Sequence, residues 1–159
     1  MVPDPNNPTD IASAFPSPAD WVDRYWNVPV GDTTVSINKY VIGTHVSDES
    51  GQKRQAVLLE AARKKLTVDK KAFNRANYGK TSPDDCAHIL DLALRTGKAT
   101  EATIQAWADK ALGVDCTGFV VAYYNEMGRI DLNKYSGGAS CRPLWALRNG
   151  TSRPVSQAR

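Results

Sequence analysis

The sequence contains few of the residues that usually form a disulfide framework or hold a metal ion. Its 159 residues include three cysteines and two histidines. Because Cys86, Cys116 and Cys141 are odd in number and far apart, a small disulfide framework is excluded. No Cys-x-x-Cys pair and no cysteine–histidine cluster has the spacing of zinc ligands. The sequence therefore implies neither a metal site nor a cofactor.

Long apolar segments are also missing, so no membrane span is expected. The N-terminal stretch "MVPDPNNPTDIASAFPSPAD" has no basic segment followed by an apolar run, so no conventional secretory signal is expected. The localisation stays open. If the protein acts in the periplasm or outside the cell, we expect it to be delivered by a non-conventional route.

What is present is the composition of an ordinary globular protein, with 42% hydrophobic and 23% charged residues. The length suits one domain with a single core. The formal net charge of +3 is compatible with an anionic partner such as a cell-wall polymer. It does not by itself indicate nucleic acid.

The chain divides into a short N-terminal arm and one domain. Residues 1–20 contain five prolines and few large apolar groups, which predicts an extended arm. Residues 21–159 form the domain. It opens with a short amphipathic helix whose aromatic face is expected to dock onto the core, the less favoured alternative being a carbohydrate-binding aromatic platform. That face comprises Trp21, Val22, Tyr25 and Trp26.

Pattern and composition predict one strand and two helices before residue 97. The β-branched stretch 33–43 favours a strand. Residues 51–66 have the spacing of a helix, followed by a basic run that is expected to be solvated. The predicted buried face of this helix is Ala56, Leu59, Ala62 and Leu66. A second helix runs from Ser82, its cap, to Thr96, before a terminating Gly97. The apolar face of the second helix is Cys86, Ile89, Leu90 and Ala93.

Two further helices are predicted at 100–113 and 115–128, and the second one carries the most informative motif. Asp115 caps it, which places Cys116 in the first turn, where unpaired backbone N–H groups stabilise an anion such as a thiolate. Gly118 leaves the surface near the sulfur uncovered. The side chains predicted to be buried are Phe119, Val120, Tyr123 and Met127. The alternative is that Cys116 is a small core residue.

The hexapeptide "DCTGFV" at 115–120 resembles the Asp-Cys-Ser-Gly-Phe/Leu-Val signature of the NlpC-type cell-wall cysteine peptidases, which are related to the CHAP amidases. The resemblance covers residues 100–130. It implies a papain-like α+β fold, of which this chain holds mainly the helical half. It also implies hydrolysis of a peptidoglycan amide through an acyl-enzyme.

The resemblance assigns roles to three residues. Cys116 matches the nucleophile, and its backbone N–H would contribute to the oxyanion hole. Asp115 matches an acidic residue that helps to hold the amino end of the stem peptide. Thr117 replaces the usual serine and keeps the hydroxyl group, and with Asp115 it is expected to bind substrate. Phage-tail lysins and secretion-delivered antibacterial effectors are contexts suggested by analogy.

Cysteine catalysis of this type needs an imidazole, and the sequence has no histidine after Cys116. His88 lies on the polar face of its helix with Asp84 and Asp91, and is expected to be solvated. His45 follows the predicted strand in a loop and would serve only in a permuted arrangement. Cys141 is expected to be a loop cysteine.

Three explanations for the missing base remain open. The chain is the N-terminal part of a longer peptidase, or a second chain supplies the histidine, or the protein is an inactive member that binds wall peptides or a partner. A rival from another class is a helical binding or adaptor module with Cys116 in its core.

Overall fold

A computed structural model describes residues 16–41 and 48–128 of the chain. Within these ranges the fold is mostly helical with one two-stranded antiparallel sheet. The helices are α1 (Pro18–Trp26), α2 (Glu49–Arg63), α3 (Lys70–Asn77), α4 (Pro83–Thr96), α5 (Ile104–Ala111) and α6 (Cys116–Glu126), and the strands are β1 (Val28–Val30) and β2 (Thr33–Val35). The expectation of a helix-rich α+β chain is confirmed at this level. No helix among the described residues has the length and apolar character needed to cross a bilayer.

Helix α4 forms where its sequence signals predict it. The Ser82 hydroxyl accepts a hydrogen bond from the Asp85 N–H, and the Asp85 carboxylate accepts one from the Ser82 N–H. This reciprocal cap satisfies two backbone donors that the helix itself cannot satisfy. Gly97 ends the helix with a φ of 75°. The predicted apolar face is confirmed, since Cys86, Ile89, Leu90 and Ala93 are all buried.

Helix α1 docks onto the core through two of its four predicted side chains. Trp21 and Tyr25 are buried, and the Tyr25 hydroxyl donates to the Thr81 carbonyl at 2.7 Å. Trp26, in contrast, is 54% exposed, so its predicted burial is wrong. The helix begins at Pro18, within the segment predicted to be an extended arm, and residues 1–15 lie outside the described ranges.

Helix α2 buries a different face from the predicted one. Val57 and Ala61 are buried, whereas Leu59 is 58% exposed. The reason is Arg54, which points inward and donates to the Ala111 carbonyl and to Asn77 Oδ1. Burial lowers the pKa of Arg54 to about 10. A hydrophobic pattern assigns an arginine to the solvent side, and this rotates the predicted face away from the real one.

Helix α3 is not predicted from the sequence, because its first residues belong to the basic run. It packs on α4 through a buried ion pair between Arg75 and Asp85. The guanidinium Nε donates to Asp85 Oδ2 at 2.7 Å, and hydrogen bonding to this carboxylate raises the pKa of Arg75. An ion pair in which the guanidinium binds both oxygens of a carboxylate has a defined geometry as well as a high strength. It therefore fixes the orientation of α3 relative to α4.

The predicted strand at 33–43 is mostly wrong. Of the described residues 33–41, only Thr33–Val35 pairs in the sheet, and residues 42 and 43 lie outside the described ranges. The partner strand, Val28–Val30, is not predicted from the sequence. Further along, Tyr40 forms an isolated parallel bridge with Val114. Helix α5 is also shorter than the predicted 100–113, since a turn over 101–103 precedes it. The Tyr40–Val114 bridge matters because it fixes the segment 36–41 against the start of α6.

Candidate functional site

The start of α6 is fixed by close contact between two segments of backbone. Asp115 caps the helix, its Oδ1 accepting from the Gly118 N–H at 2.5 Å, and its own N–H donates to the Gly79 carbonyl at 2.9 Å. A Cβ at Gly118 would lie 2.2 Å from the Gly79 carbonyl oxygen. Only glycine fits there. The prediction of a helix start with Cys116 in the first turn is confirmed.

A buried lysine completes the cap. Lys80 is 5% exposed, and its Nζ lies 2.5 Å from Asp115 Oδ2. Both carboxylate oxygens of Asp115 are thus hydrogen-bonded within the protein, one to Lys80 and the other to Gly118. The side chain fixes the position of the helix start. Its expected contact with the amino end of a stem peptide stays a prediction.

The Cys116 sulfur faces solvent, and the alternative that Cys116 is a core residue is wrong. The sulfur lies 4.0 Å from the Tyr40 hydroxyl and 4.0 Å from the Thr117 hydroxyl. Cys86 makes the contrast clear, because its thiol is fully buried and burial raises its pKa to about 12. Of these two cysteines, Cys116 is the one a reagent or substrate can reach.

The face of α6 predicted to be buried is confirmed only in part, because Phe119 and Tyr123 pack against the core without being fully buried. Phe119, Val120, Tyr123 and Met127 are half-buried, while the most buried residues are Thr117, Gly118, Val121 and Ala122. The contact between Gly118 and the Gly79 carbonyl requires the small-residue side to face inward. This orientation turns Cys116 outward. It also leaves Thr117 buried next to the sulfur, where its expected role in substrate binding is not tested.

A cleft of about 250 Å³ opens beside Cys116. Its walls come from α1, the segment 37–40 and the beginning of α6. The lining residues are Val22, Tyr25, Trp26, Ile37, Asn38, Lys39, Tyr40, Val114, Asp115, Cys116 and Phe119. Four of these carry aromatic rings, and two of the four, Trp26 and Tyr40, are among the most exposed large apolar side chains of the described residues. Large apolar groups exposed at a cleft mark a binding site more often than scattered ones do.

Tyr40 is the site residue that sequence reasoning missed. It lies 76 positions before Cys116, inside a stretch predicted to be a strand. Two backbone hydrogen bonds bring it to the sulfur: Val114 donates to the Lys39 carbonyl at 3.0 Å, and Val41 donates to the Val114 carbonyl at 3.4 Å. No local sequence pattern predicts a single backbone bridge between segments so far apart along the chain.

The histidines do not complete the site within the described residues. His88 accepts a hydrogen bond from the Asp69 N–H at 3.0 Å, which joins α4 to the start of α3. It makes no hydrogen bond to Cys116. His45 and Cys141 lie outside the described ranges. Over residues 16–41 and 48–128, no group of three or more histidine, cysteine or acidic side chains is arranged to hold a metal ion.

No protein-family model matches this sequence, and no curated protein and no solved structure matches it either. The resemblance at residues 115–120 therefore stands on the motif alone.

Proposed function

We propose that the protein is a papain-like cysteine hydrolase of peptidoglycan amides, with Cys116 as its nucleophile. The observation that carries the proposal is the position of the sulfur: exposed, in the first turn of α6, at the wall of a cleft. A residue held at a helix start lies next to backbone N–H groups and the positive end of the helix dipole, both of which stabilise negative charge that develops there during a reaction.

The proposed reaction has two halves. The Cys116 thiolate attacks the carbonyl carbon of the substrate, the C–N bond breaks, and the amine leaves after taking a proton. Water then hydrolyses the thioester, which frees a carboxylate and restores the thiol. We assign stabilisation of the developing oxyanion to the N–H of Cys116 and to the Tyr40 hydroxyl, which lies 4.0 Å from the sulfur.

A peptidoglycan substrate is supported by charge near the site. Stem peptides carry carboxylates, and Lys39 lines the cleft. Over the two described ranges, the Lys39 side chain makes no ion pair, whereas the neighbouring Lys80 is neutralised by Asp115. Lys39 is exposed, and an ammonium group at the edge of a cleft is a suitable partner for a substrate carboxylate.

The proposal requires an imidazole that the described residues do not bring to Cys116. We assign it to a residue outside them, either in a segment downstream of the sequence or in a second chain, with His45 as the less favoured candidate. The absence of an imidazole among the described residues favours one further function. The same cleft would then bind wall peptides without cleaving them.

Selective alkylation tests the assignment of Cys116. The protein is treated with iodoacetamide at pH 7, and modification at each of the three cysteines is followed by peptide mass spectrometry. We expect Cys116 to react faster than free cysteine under the same conditions, while buried Cys86 stays unmodified and serves as the internal control. A Cys116 rate equal to or below that of free cysteine would overturn the proposal.

A further inference from the structure

We propose that Lys80 sets the charge preference of the cleft beside Cys116, so that the site accepts anionic substrate groups and disfavours cationic ones. Lys80 does not line the cleft and acts through Asp115, which does. This inference rests on the proposed function and deepens it, because it assigns a charge to the part of the substrate that lies next to the sulfur.

The described lining of the cleft contains two charged side chains of opposite sign. They are Lys39 and Asp115, and the other lining side chains are apolar groups, aromatic rings, one amide and the Cys116 thiol. With these two charges alone the cleft would have no net charge. The charge that a substrate meets therefore depends on whether either group is neutralised from behind the cleft wall.

Asp115 is neutralised in this way, and Lys39 is not. The Lys80 Nζ lies 2.5 Å from Asp115 Oδ2, and the side chains of Lys80 and Asp115 are only 6% and 15% exposed. Lys39 is exposed, and it forms no ion pair with any carboxylate of residues 16–41 and 48–128. With the Asp115 charge cancelled, the cleft keeps one net positive charge.

Burial makes the neutralisation of Asp115 effective. Two opposite charges in contact act as a short dipole, whose field falls off faster with distance than the field of the single charge on Lys39. Salt screens a buried pair much less than an exposed one, so Lys80 stays associated with Asp115. A substrate ammonium would have to approach a carboxylate that already accepts from Lys80 and from the Gly118 N–H, and the buried Lys80 cation would repel it.

Charged groups of α1 outside the lining change this balance little. Arg24 pairs with two acids, Asp84 and Glu126. Asp23 is exposed and does not line the cleft. Exposed charges are screened over about 8–10 Å at ordinary ionic strength, so we expect Asp23 to contribute less than Lys39 does.

Two thiol reagents of opposite charge test the inference. One is 2-sulfonatoethyl methanethiosulfonate, an anion, and the other is its 2-(trimethylammonio)ethyl analogue, a cation. Each transfers its alkylthio group to the Cys116 sulfur, which forms a mixed disulfide and releases methanesulfinate. Peptide mass spectrometry gives the two rates at Cys116, and the anion-to-cation rate ratio is divided by the same ratio for N-acetylcysteine amide. The thiolate fraction cancels, so the normalised ratio reports the charge around the sulfur.

For the wild-type protein at low ionic strength we expect a normalised ratio of about three or more, the effect of one charge a few ångströms away in water. In about 1 M salt the ratio should fall towards one. Lys80→Gln, which keeps an N–H donor for Asp115 and removes the charge, should lower the low-salt ratio to about one. Adding Asp115→Asn should restore the wild-type ratio. Lys98→Gln, which removes an exposed lysine outside the cleft, is the matched control and should leave the ratio unchanged.

A wild-type ratio of one or less, or a Lys80→Gln ratio equal to that of the wild type, would overturn the inference. Lys39→Gln changes an exposed side chain and should also lower the ratio to about one, and an unchanged ratio would again overturn it. If circular dichroism shows Lys80→Gln to be unfolded, Asp115→Asn decides. That variant leaves the Lys80 charge uncompensated, so its ratio should exceed the wild-type ratio, and a ratio that does not would refute the role of Lys80.

The proposed function is judged by a different quantity. It depends on the rate of Cys116 alkylation relative to free cysteine in the wild-type protein, and the normalised ratio contains no contribution from the reactivity of the thiol. The charge preference and the nucleophile assignment can therefore fail separately.

Discussion

At the residue scale, the Cys86 and Cys116 thiols differ in solvent exposure, since Cys86 is buried and Cys116 is exposed. Cys86 lies in the core between α4 and its neighbours, while Cys116 faces solvent beside the Tyr40 hydroxyl. From residue type alone, both cysteines are expected to be buried. Their local environments, and not their residue type, make one inert and the other available.

The Tyr40 hydroxyl should increase the reactivity of Cys116. It is the nearest hydroxyl outside α6, and a hydroxyl donor stabilises a thiolate. Tyr40→Phe should slow alkylation of Cys116 at pH 7 by about threefold to tenfold, the worth of one hydrogen bond. Tyr78→Phe, which alters an exposed tyrosine that does not line the cleft, is the matched control. Equal rates in the two variants would show that the 4.0 Å contact has no chemical effect.

Burial of Cys86 should make the protein less stable in alkali. Its pKa is raised by burial from 9.0 to about 12, so between these values the folded state binds more protons than the unfolded state. The free energy of unfolding therefore falls as pH rises through this window, by at most about 1.4 kcal/mol per pH unit for one group. Denaturant titrations at a series of pH values measure the slope.

Cys86→Ala should flatten this slope without abolishing it. Burial also raises the pKa of Tyr25 well above its usual value, and that group contributes in alkali in the same sense. A slope in Cys86→Ala identical to the wild-type slope would contradict the assignment.

At the scale of elements, two contacts at its first turn fix the position of α6. One is the packing of Gly118 against the backbone of residues 79–80, and the other is the buried ion pair of Lys80 with Asp115. Neither lies on the face that hydrophobic periodicity selects. Together they hold the helix start and, with it, the orientation of Cys116.

Gly118→Ala should destabilise the fold although alanine favours helices. The new Cβ would lie 2.2 Å from the Gly79 carbonyl oxygen and 2.8 Å from the Lys80 Cα, both backbone atoms. We expect a loss of at least about 2 kcal/mol in the free energy of unfolding, in the range of overpacking. Gly97→Ala has a positive φ but open space around it, and should cost about 1 kcal/mol from backbone strain alone. A smaller loss for Gly118→Ala than for Gly97→Ala would refute the contact.

Removing the cation of the buried Lys80–Asp115 pair should lower the free energy of unfolding. Lys80→Met leaves the Asp115 carboxylate without its charged partner, and we expect a loss of about 3 kcal/mol. Adding Asp115→Asn, which removes the stranded charge, should restore part of that loss. The exposed pair of Lys53 and Glu49 is the matched control, and Lys53→Met should cost about 0.5 kcal/mol or less. Chemical denaturation of these three variants and of the wild-type protein gives these values.

At the scale of the whole molecule, the described helices and the small sheet bring three distant segments to one cleft: α1, residues 37–40 and the start of α6. The Tyr40–Val114 bridge and the docking of Tyr25 onto the Thr81 carbonyl are the contacts that assemble it. The cleft thus belongs to the tertiary fold and to no single element.

The chain alone should not hydrolyse peptidoglycan at a useful rate. General acid–base catalysis by an imidazole is worth about 10²–10⁴-fold, and no histidine among the described residues contacts Cys116. Dye release from labelled cell walls should therefore be near background and should rise when a histidine-bearing downstream segment or partner chain is supplied. Cys116→Ala should abolish any activity gained in this way. Robust hydrolysis by residues 1–159, lost in His45→Ala, would instead establish the permuted arrangement.

Local signals account for the parts of the fold that the sequence predicts well. A capping serine, an N-terminal proline and a terminating glycine define α4, and an aspartate cap starts α6. These signals act within one turn of helix, so they are visible in the order of residues. The helix-rich class and the first-turn position of Cys116 follow from them.

The sequence by itself determined where helices α4 and α6 begin and that a cysteine would stand at a helix start. Only the tertiary structure decided which faces are buried, because Arg54, the pair of Arg75 with Asp85, and the contact at Gly118 override hydrophobic periodicity. It also decided that Tyr40 lies beside Cys116. Caps depend on residues three or four positions apart, whereas buried ion pairs and backbone bridges join segments whose separation along the chain carries no local signal.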